Sequence, residues 1–346
     1  MKVPTTEARI SEVRTLDGLR FLVATGPEAN DPISLSLAAG EHPPEYRELL
    51  GLLRIIAPAG GRVLDLGAHL GSFTLGAAAA GFEVVAVEAS PRNAALLRAS
   101  VAVNADARTR IVHAAVADRA GTLCFEAAGP YGHVSKSPGT AGRVEVPAVA
   151  VDDLLAEVGW GRVDFIKMDV EGSEVAAVRG MAKLLARADA PPICYESNAH
   201  TLHFFGQTPR DLKAAVEALG YRNFWVDGER LVPVTAAEFQ AETVVDYLGL
   251  KVIPEALRGR IVTQGRSKDE LVAASLAVCV SPEVAHRSSI ARALADAPSA
   301  ISRDPRIVEA LNTLRVDPEG VVRDAAGVAL PMTWFGRIAR GIARLA

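Results

Sequence analysis

The sequence predicts a doubly wound α/β fold, a mostly parallel sheet covered on both faces, and three observations predict it. Short apolar strands alternate with helical stretches from about residue 60 onward. A glycine turn, VLDLGAHLGSFT, joins the first of these strands to its helix. An acid, Glu88, ends the second strand 21 residues after Gly67. Alternating strands and helices imply parallel strands joined by right-handed crossovers, with ligands held beyond the carboxyl ends of the strands.

The elements follow in order. RISEVRTLDGLRFLVAT carries Asp17-Gly18 between two strand-like runs, a hairpin signal. PPEYRELLGLLRIIA opens on prolines and continues with helical apolar spacing. RVLDLG reads as the first strand of the repeating pattern and FEVVAVE as the second. SPRNAALLRASVAVN is the second helix, with Ser90 as its cap and Pro91 in its first turn. RIVHAAVAD reads as the third strand and GTLCFE as a further one, before the Gly/Pro/Ser-rich loop AAGPYGHVSKSPGTAG. VDDLLAEVG is a short helix, VDFIKMDV the fourth strand and SEVAAVRGMAKLLARA its helix. PPICYES is the fifth strand, TPRDLKAAVEALG a helix capped by Thr208, and YRNFWVDGERLVPV a second hairpin turning at Asp227-Gly228. From residue 255 capped helical segments continue without strands. The expected organisation is therefore a hairpin and helix over 1–59, the α/β domain over 60–254 and a helical extension over 255–346.

Composition excludes several classes. The chain has 346 residues, formal net charge -4 and 5% aromatics. It therefore lacks both the basic footprint and the stacking residues that mark nucleic-acid binders. Its three cysteines, Cys124, Cys194 and Cys279, are far apart and form no CxxC pair. That spacing speaks against a disulfide framework and a zinc knuckle and fits a reducing compartment. No apolar leader is evident in MKVPTTEARISEVRT, and LVAASLAVCV is too short to span a bilayer, so a soluble cytoplasmic protein is expected.

The glycine turn decides between cofactors. A dinucleotide fingerprint needs glycines at relative positions 1, 3 and 6, but here they fall on Gly67, His69 and Ser72. The spacing is instead Asp65-x-Gly67-x-x-x-Gly71. An acid at the strand end repels a pyrophosphate and suits a cofactor carrying a positive charge and an amino group. S-adenosylmethionine has both, and its carboxylate suits the N–H groups of a helix N-terminus. Glu88 can accept from the two ribose hydroxyls.

The stretch VDFIKMDVEGSE ends an apolar strand in Asp169, Glu171 and Glu174, with Lys167 beside them. Together with VLDLGAHLGSFT, VDDLL and ICYES it resembles the FkbM-type methyltransferase family over about residues 60–227. The resemblance implies a class I, Rossmann-like methyltransferase domain and S-adenosylmethionine-dependent methylation, usually of a hydroxyl oxygen on a sugar, glycolipid or natural-product scaffold. His69 departs from it, since the family commonly has Asn there.

Methyl transfer to a neutral hydroxyl is helped by a base at the acceptor end. If the fourth strand persisted, alternation would place Lys167, Asp169 and Glu171 on one side, with the lysine holding one acid ionised. Asp169 is the first candidate for base or substrate anchor and Glu171 the second. The alternative for Asp169 is a structural cap of the next turn. Glu174 reads as a first-turn helix residue. Glu196 ends the fifth strand and either bonds substrate hydroxyls or pairs with a cation. His133, His200 and His203 fall in expected loops near the same edge. Asp169, Glu171 and Glu196 could together hold a divalent cation through oxygen ligands, but Lys167 beside them already supplies positive charge, so no metal is expected. The expected acceptor is a small molecule or glycan; the competing readings are another acceptor atom and a non-catalytic partner module. The last residues, TWFGRIARGIARLA, form a basic amphipathic pattern that suits either core packing, which is favoured, or an anionic membrane surface.

Overall fold

A computed structural model describes residues 8–27, 31–105, 108–126, 133–135 and 143–329. The C-terminal amphipathic stretch lies outside these residues. The described residues fall into two compact units. The first takes those up to Ser197, then 201–236 and 246–264. The second takes 198–200, 237–245 and those from Gly265 onward.

The first unit begins with β1 (Arg9–Arg14) and β2 (Arg20–Thr25), an antiparallel pair. Their turn places Gly18 at φ 88°, which only glycine adopts without cost. Next comes α1 (Pro32–Ala38), which the sequence did not signal; Asp31 caps it by accepting from the Ser34 amide. Then α2 (Pro44–Ile56) packs Leu49, Leu50, Leu52 and Leu53 into the core.

The parallel sheet starts with β3 (Arg62–Leu66), followed by α3 (Ser72–Ala79), β4 (Glu83–Glu88), α4 (Pro91–Val103) and β5 (Thr109–His113). The Ser90 hydroxyl accepts from the Asn93 amide and starts α4, as its sequence signals. RIVHAAVAD is not one strand. It divides at Ala114, whose amide turns to the Glu88 carbonyl. Its second half is β6 (Ala115–Val116), which joins a separate sheet with β7 (Gly121–Glu126), β8 (His133–Ser135) and β9 (Arg143–Val149) in the order β6-β9-β7-β8. Thus His133 lies in a strand where a loop was expected, and β9 was unread because Pro147 interrupts its apolar run.

After α5 (Val151–Val158) come β10 (Phe165–Met168), α6 (Glu174–Gly180) and α7 (Ala182–Ala186). The one helix expected here breaks at Met181. β11 (Ile193–Asn198), α8 (Ala199–Phe204), α9 (Pro209–Glu217), β12 (Arg222–Asp227), β13 (Arg230–Val234) and β14 (Val244–Leu250) complete the set. The main sheet runs β13-β12-β14-β11-β10-β3-β4-β5. Its stretch from β11 to β5 is parallel, and β12 is antiparallel to both β13 and β14. The doubly wound class therefore holds, with an antiparallel edge. His200 and His203 lie on α8 rather than in a loop.

The second unit is helical: α10 (Lys268–Cys279), α11 (Val284–Ala295), α12 (Ser299–Ser302), α13 (Pro305–Leu314) and α14 (Gly320–Ala329). Val272, Ile290, Leu294, Ile307, Leu311 and Val322 form its core. Arg287 binds Asp317 at 2.8 Å and the Ser281 carbonyl at 2.8 Å, tying the ends of three helices. The sequence set the change of character at 255. The units part at Gly265 instead, because the short 3-10 helix over Glu255–Arg260 buries Leu257 in the first core.

Candidate active site

The site lies at the carboxyl ends of β3, β4 and β10, where parallel strands open toward ligands. A cleft is bounded there by Gly67, His69, Glu88, Asp169 and Glu171, with Tyr46, Ile33, Val116 and Phe125 as further walls.

The β3–α3 turn is shaped by the protein's own backbone. Gly67 has φ 80°, and a Cβ there would lie 1.6 Å from the Asp169 carbonyl oxygen. Gly71 has φ 92°, and a Cβ there would strike Leu97 at 2.3 Å. These glycines therefore let β3 and β10 close on each other and α4 close on α3. Between them His69 takes φ 51°, uncommon for a non-glycine residue. Its amide donates to Glu88 Oε2 at 2.8 Å, and the Ser90 amide donates to Glu88 Oε1 at 2.7 Å. Glu88 so fixes the turn while each oxygen keeps capacity to accept again. Burial pushes its carboxyl up to about 7, against the opposing pull of those amides.

Behind the turn stands a buried charge cluster. Asp65 and Lys167 are paired in register across β3 and β10. The Lys167 ammonium lies 2.6 Å from the Gly67 carbonyl oxygen, 3.4 Å from Asp65 and 3.4 Å from Asp169. Thr74 donates to Asp65 at 2.5 Å. Burial alone would lower the lysine pKa, but Asp169 and Asp65 outweigh it and hold the ammonium charged. Asp65 is fully buried and, with Lys167 and Gly71, is absent from the cleft wall.

The strand does not persist past Met168, so the expected alternation of Lys167, Asp169 and Glu171 stops there. Asp169 reaches the cleft and keeps its contact with Lys167 through the chain's turn. Glu171 takes φ 51° and also reaches the cleft. Burial first, then Asp169 and Glu174, push its carboxyl up to about 9. Glu174 does more than start α6: its Oε1 accepts from the Val170 and Gly172 amides at 3.1 and 3.0 Å, closing the turn. Glu196 is not on the cleft wall; burial and then Asp169 and Glu171 raise its pKa well above the usual carboxylate range. Among the described residues, buried oxygens of Glu171 and Glu174, and the His69 Nδ1, have no hydrogen-bond partner.

The described residues also bring together groups that sequence reasoning missed. Tyr46 and Ile33 arrive from helices upstream of the glycine turn, and Phe125 from the small sheet. Thr74, on α3, was legible only as a helix residue.

This geometry agrees with what comparison with known proteins finds. A family model, the methyltransferase FkbM domain, matches residues 65–223. The chain carries an FkbM methyltransferase domain. S-adenosylmethionine is its methyl donor, and the FkbM segment includes every strand end that faces the cleft. Solved structures similar to the chain include a precorrin-6y C5,15-methyltransferase from Geobacter metallireducens, at 12% identity over 66% of this chain and 93% of that one, TM-score 0.37. Another is the 16S rRNA N2 G1207 methyltransferase of T. thermophilus, at 17% identity over 71% of this chain and 51% of that one, TM-score 0.38. A third is an O-methyltransferase from Bacillus cereus, at 14% identity over 63% of this chain and 88% of that one, TM-score 0.35. No curated protein sequence gives a significant match. No helix among the described residues is long and apolar enough to cross a membrane.

Proposed function

We propose that this FkbM methyltransferase transfers the methyl group to a hydroxyl oxygen on a sugar, glycolipid or natural-product scaffold. The observation that carries the reading is Asp169 on the cleft wall, 3.4 Å from a buried lysine. S-adenosylmethionine fits the chemistry of this cleft. Acids line it, and no lysine or arginine does so among the described residues, which suits a cationic cofactor and not a pyrophosphate.

The cofactor supplies an electrophilic methyl group on a positively charged sulfur. Glu88 would accept from the ribose hydroxyls with the lone pairs left free by the His69 and Ser90 amides. The turn from Gly67 to Gly71 and the first amides of α3 would hold its anionic end. Asp65 acts from behind, through Lys167 and Thr74, to hold the turn. Asp169 takes the acceptor hydroxyl's proton on a carboxylate oxygen as the oxygen attacks. Lys167, 3.4 Å away, holds that carboxylate in position. Glu171, with its raised pKa, carries a proton on the cleft wall and donates to an acceptor oxygen, while Glu196 stands behind the wall. The net charge of -4 favours a small or glycan acceptor over a nucleic acid.

The test supplies methyl-labelled S-adenosylmethionine with hydroxylated glycans and scaffolds and locates the label by NMR. Label on oxygen is the expected result. Label on nitrogen or carbon alone would refute the hydroxyl assignment and leave the methyltransferase assignment intact.

A further inference from the structure

One polar side chain of the cleft is used neither by the FkbM segment nor by the roles above. Tyr46 lies on α2, upstream of residues 65–223. It lines the cleft together with Glu88 and Asp169, and is only 7% exposed. Its ring lies 5.9 Å from the Lys167 ammonium and 6.5 Å from the His42 imidazole. Its hydroxyl makes no hydrogen bond with any described residue. A buried phenol normally finds a partner. Tyr46's hydroxyl, which no described residue satisfies, stands on the wall of the cleft, open to a ligand.

The surroundings say which part of the ligand. Lys167, Asp169, Asp65 and Glu196 are the charged groups that act on the phenol. Three of the four are acids, and the lysine is already engaged by Gly67, Asp65 and Asp169. This corner favours a cation. Burial first, with the acids adding to it against Lys167, keeps the phenol protonated well above its usual range. Its oxygen is thus a neutral group with two lone pairs available to accept.

Resting on the S-adenosylmethionine reading, we propose that Tyr46 is a further cofactor-contacting residue, whose phenol oxygen faces the cationic, methyl-bearing end of the donor. By that contact the protein favours the charged donor over the neutral product. The residue belongs to a helix outside the family segment, so the upstream part of the chain completes the site.

Sinefungin, which carries an ammonium where the donor has its methyl-sulfonium, and S-adenosylhomocysteine, which is neutral there, separate the contributions. Both are titrated by calorimetry into the full chain and into Tyr46→Phe, with melting curves for each. Tyr46→Phe is expected to weaken sinefungin about tenfold, the loss of one hydrogen bond to a charged group, and to change S-adenosylhomocysteine by less than about twofold. Equal weakening of both ligands, or of neither, would overturn the inference. A second measurement uses only the wild-type chain, labelled with 13C at tyrosine Cζ. One of its five tyrosine signals should move further with sinefungin than with S-adenosylhomocysteine, and identical spectra would also overturn it. A wild-type chain that binds neither ligand would instead remove the cofactor reading itself.

Discussion

The ammonium of Lys167 lies 2.6 Å from the carbonyl oxygen of Gly67 and 3.4 Å from the carboxylate of Asp169. One side chain therefore joins the β3–α3 turn to the acid just past the end of β10. It is 3% exposed, and its other partner, Asp65, is fully buried. Lys167→Met keeps the length of the stem and removes the charge. It strands Asp65 without a counter-ion, which costs about 3–5 kcal/mol in buried pairs. Urea denaturation is expected to show a loss of that order. A variant as stable as the parent would mean that the cluster is solvated.

Asp169→Asn preserves shape at a position that is 23% exposed on its side chain. In the proposed role of general base, Asp169 would contribute about 10²–10⁴-fold to the rate. The methyl-transfer rate should fall by that factor, while the affinity for S-adenosylhomocysteine and the melting temperature stay close to the parent's. Unchanged turnover in a folded variant would assign the base elsewhere.

Glu88, Glu174 and Glu171 hold their protons more tightly in the folded chain, with carboxyls pushed up to about 7, 7 and 9 from 4.5. Groups raised in this way stabilise fully below the unfolded carboxyl range. Their contribution is lost as pH rises through the folded values. Melting temperature is therefore expected to decline between pH 4.5 and 9, with the last part of the decline belonging to Glu171. Glu171→Gln should flatten the profile above pH 7 and melt above the parent near pH 9. Each unit of offset corresponds to about 1.4 kcal/mol of upper-limit effect. Scanning calorimetry across this range decides it; a parallel decline in Glu171→Gln would acquit that residue.

Gly67→Ala and Gly60→Ala form a matched pair, with φ of 80° and 73°. At Gly60 nothing lies within 4 Å of an added Cβ, so only the backbone penalty of about 1–2 kcal/mol applies. At Gly67 the Cβ would fall 1.6 Å from the Asp169 carbonyl oxygen. Gly67→Ala is expected to lose more than about 4 kcal/mol, or to accumulate unfolded. Similar stability of the two variants would show that β3 and β10 can part without cost.

The strands and glycine turn were legible because each depends on a local pattern. Asp17-Gly18 and Asp227-Gly228 turn hairpins, Ser90 and Ser267 cap helices, and Glu88 ends a strand on the cleft. What escaped was set by partners distant in sequence. Lys167 was visible as a neighbour of acids, but its bond to Gly67 is a contact across one hundred residues. The extended alternation through Glu171 failed because the chain turns after Met168, where Glu174 gathers the Val170 and Gly172 amides. Tyr46 looked like an ordinary residue of an amphipathic helix, since nothing in its own segment announces a cleft. β14 was missed because its pairing with β12 joins segments separated by a second hairpin strand.

The helical unit is not a simple tail. The chain enters it at 198–200, leaves, returns at 237–245, leaves again, and settles there from Gly265. A fragment ending before Gly265 would keep two pieces of a body whose remainder is gone. Gln240 and Thr243, buried in the full chain, belong to one of those pieces. In modular terms the two units are spliced rather than strung together. A graft that treats the stretch from Gly265 onward as a detachable cassette would leave unfinished seams, and a clean exchange must carry the internal segments with it.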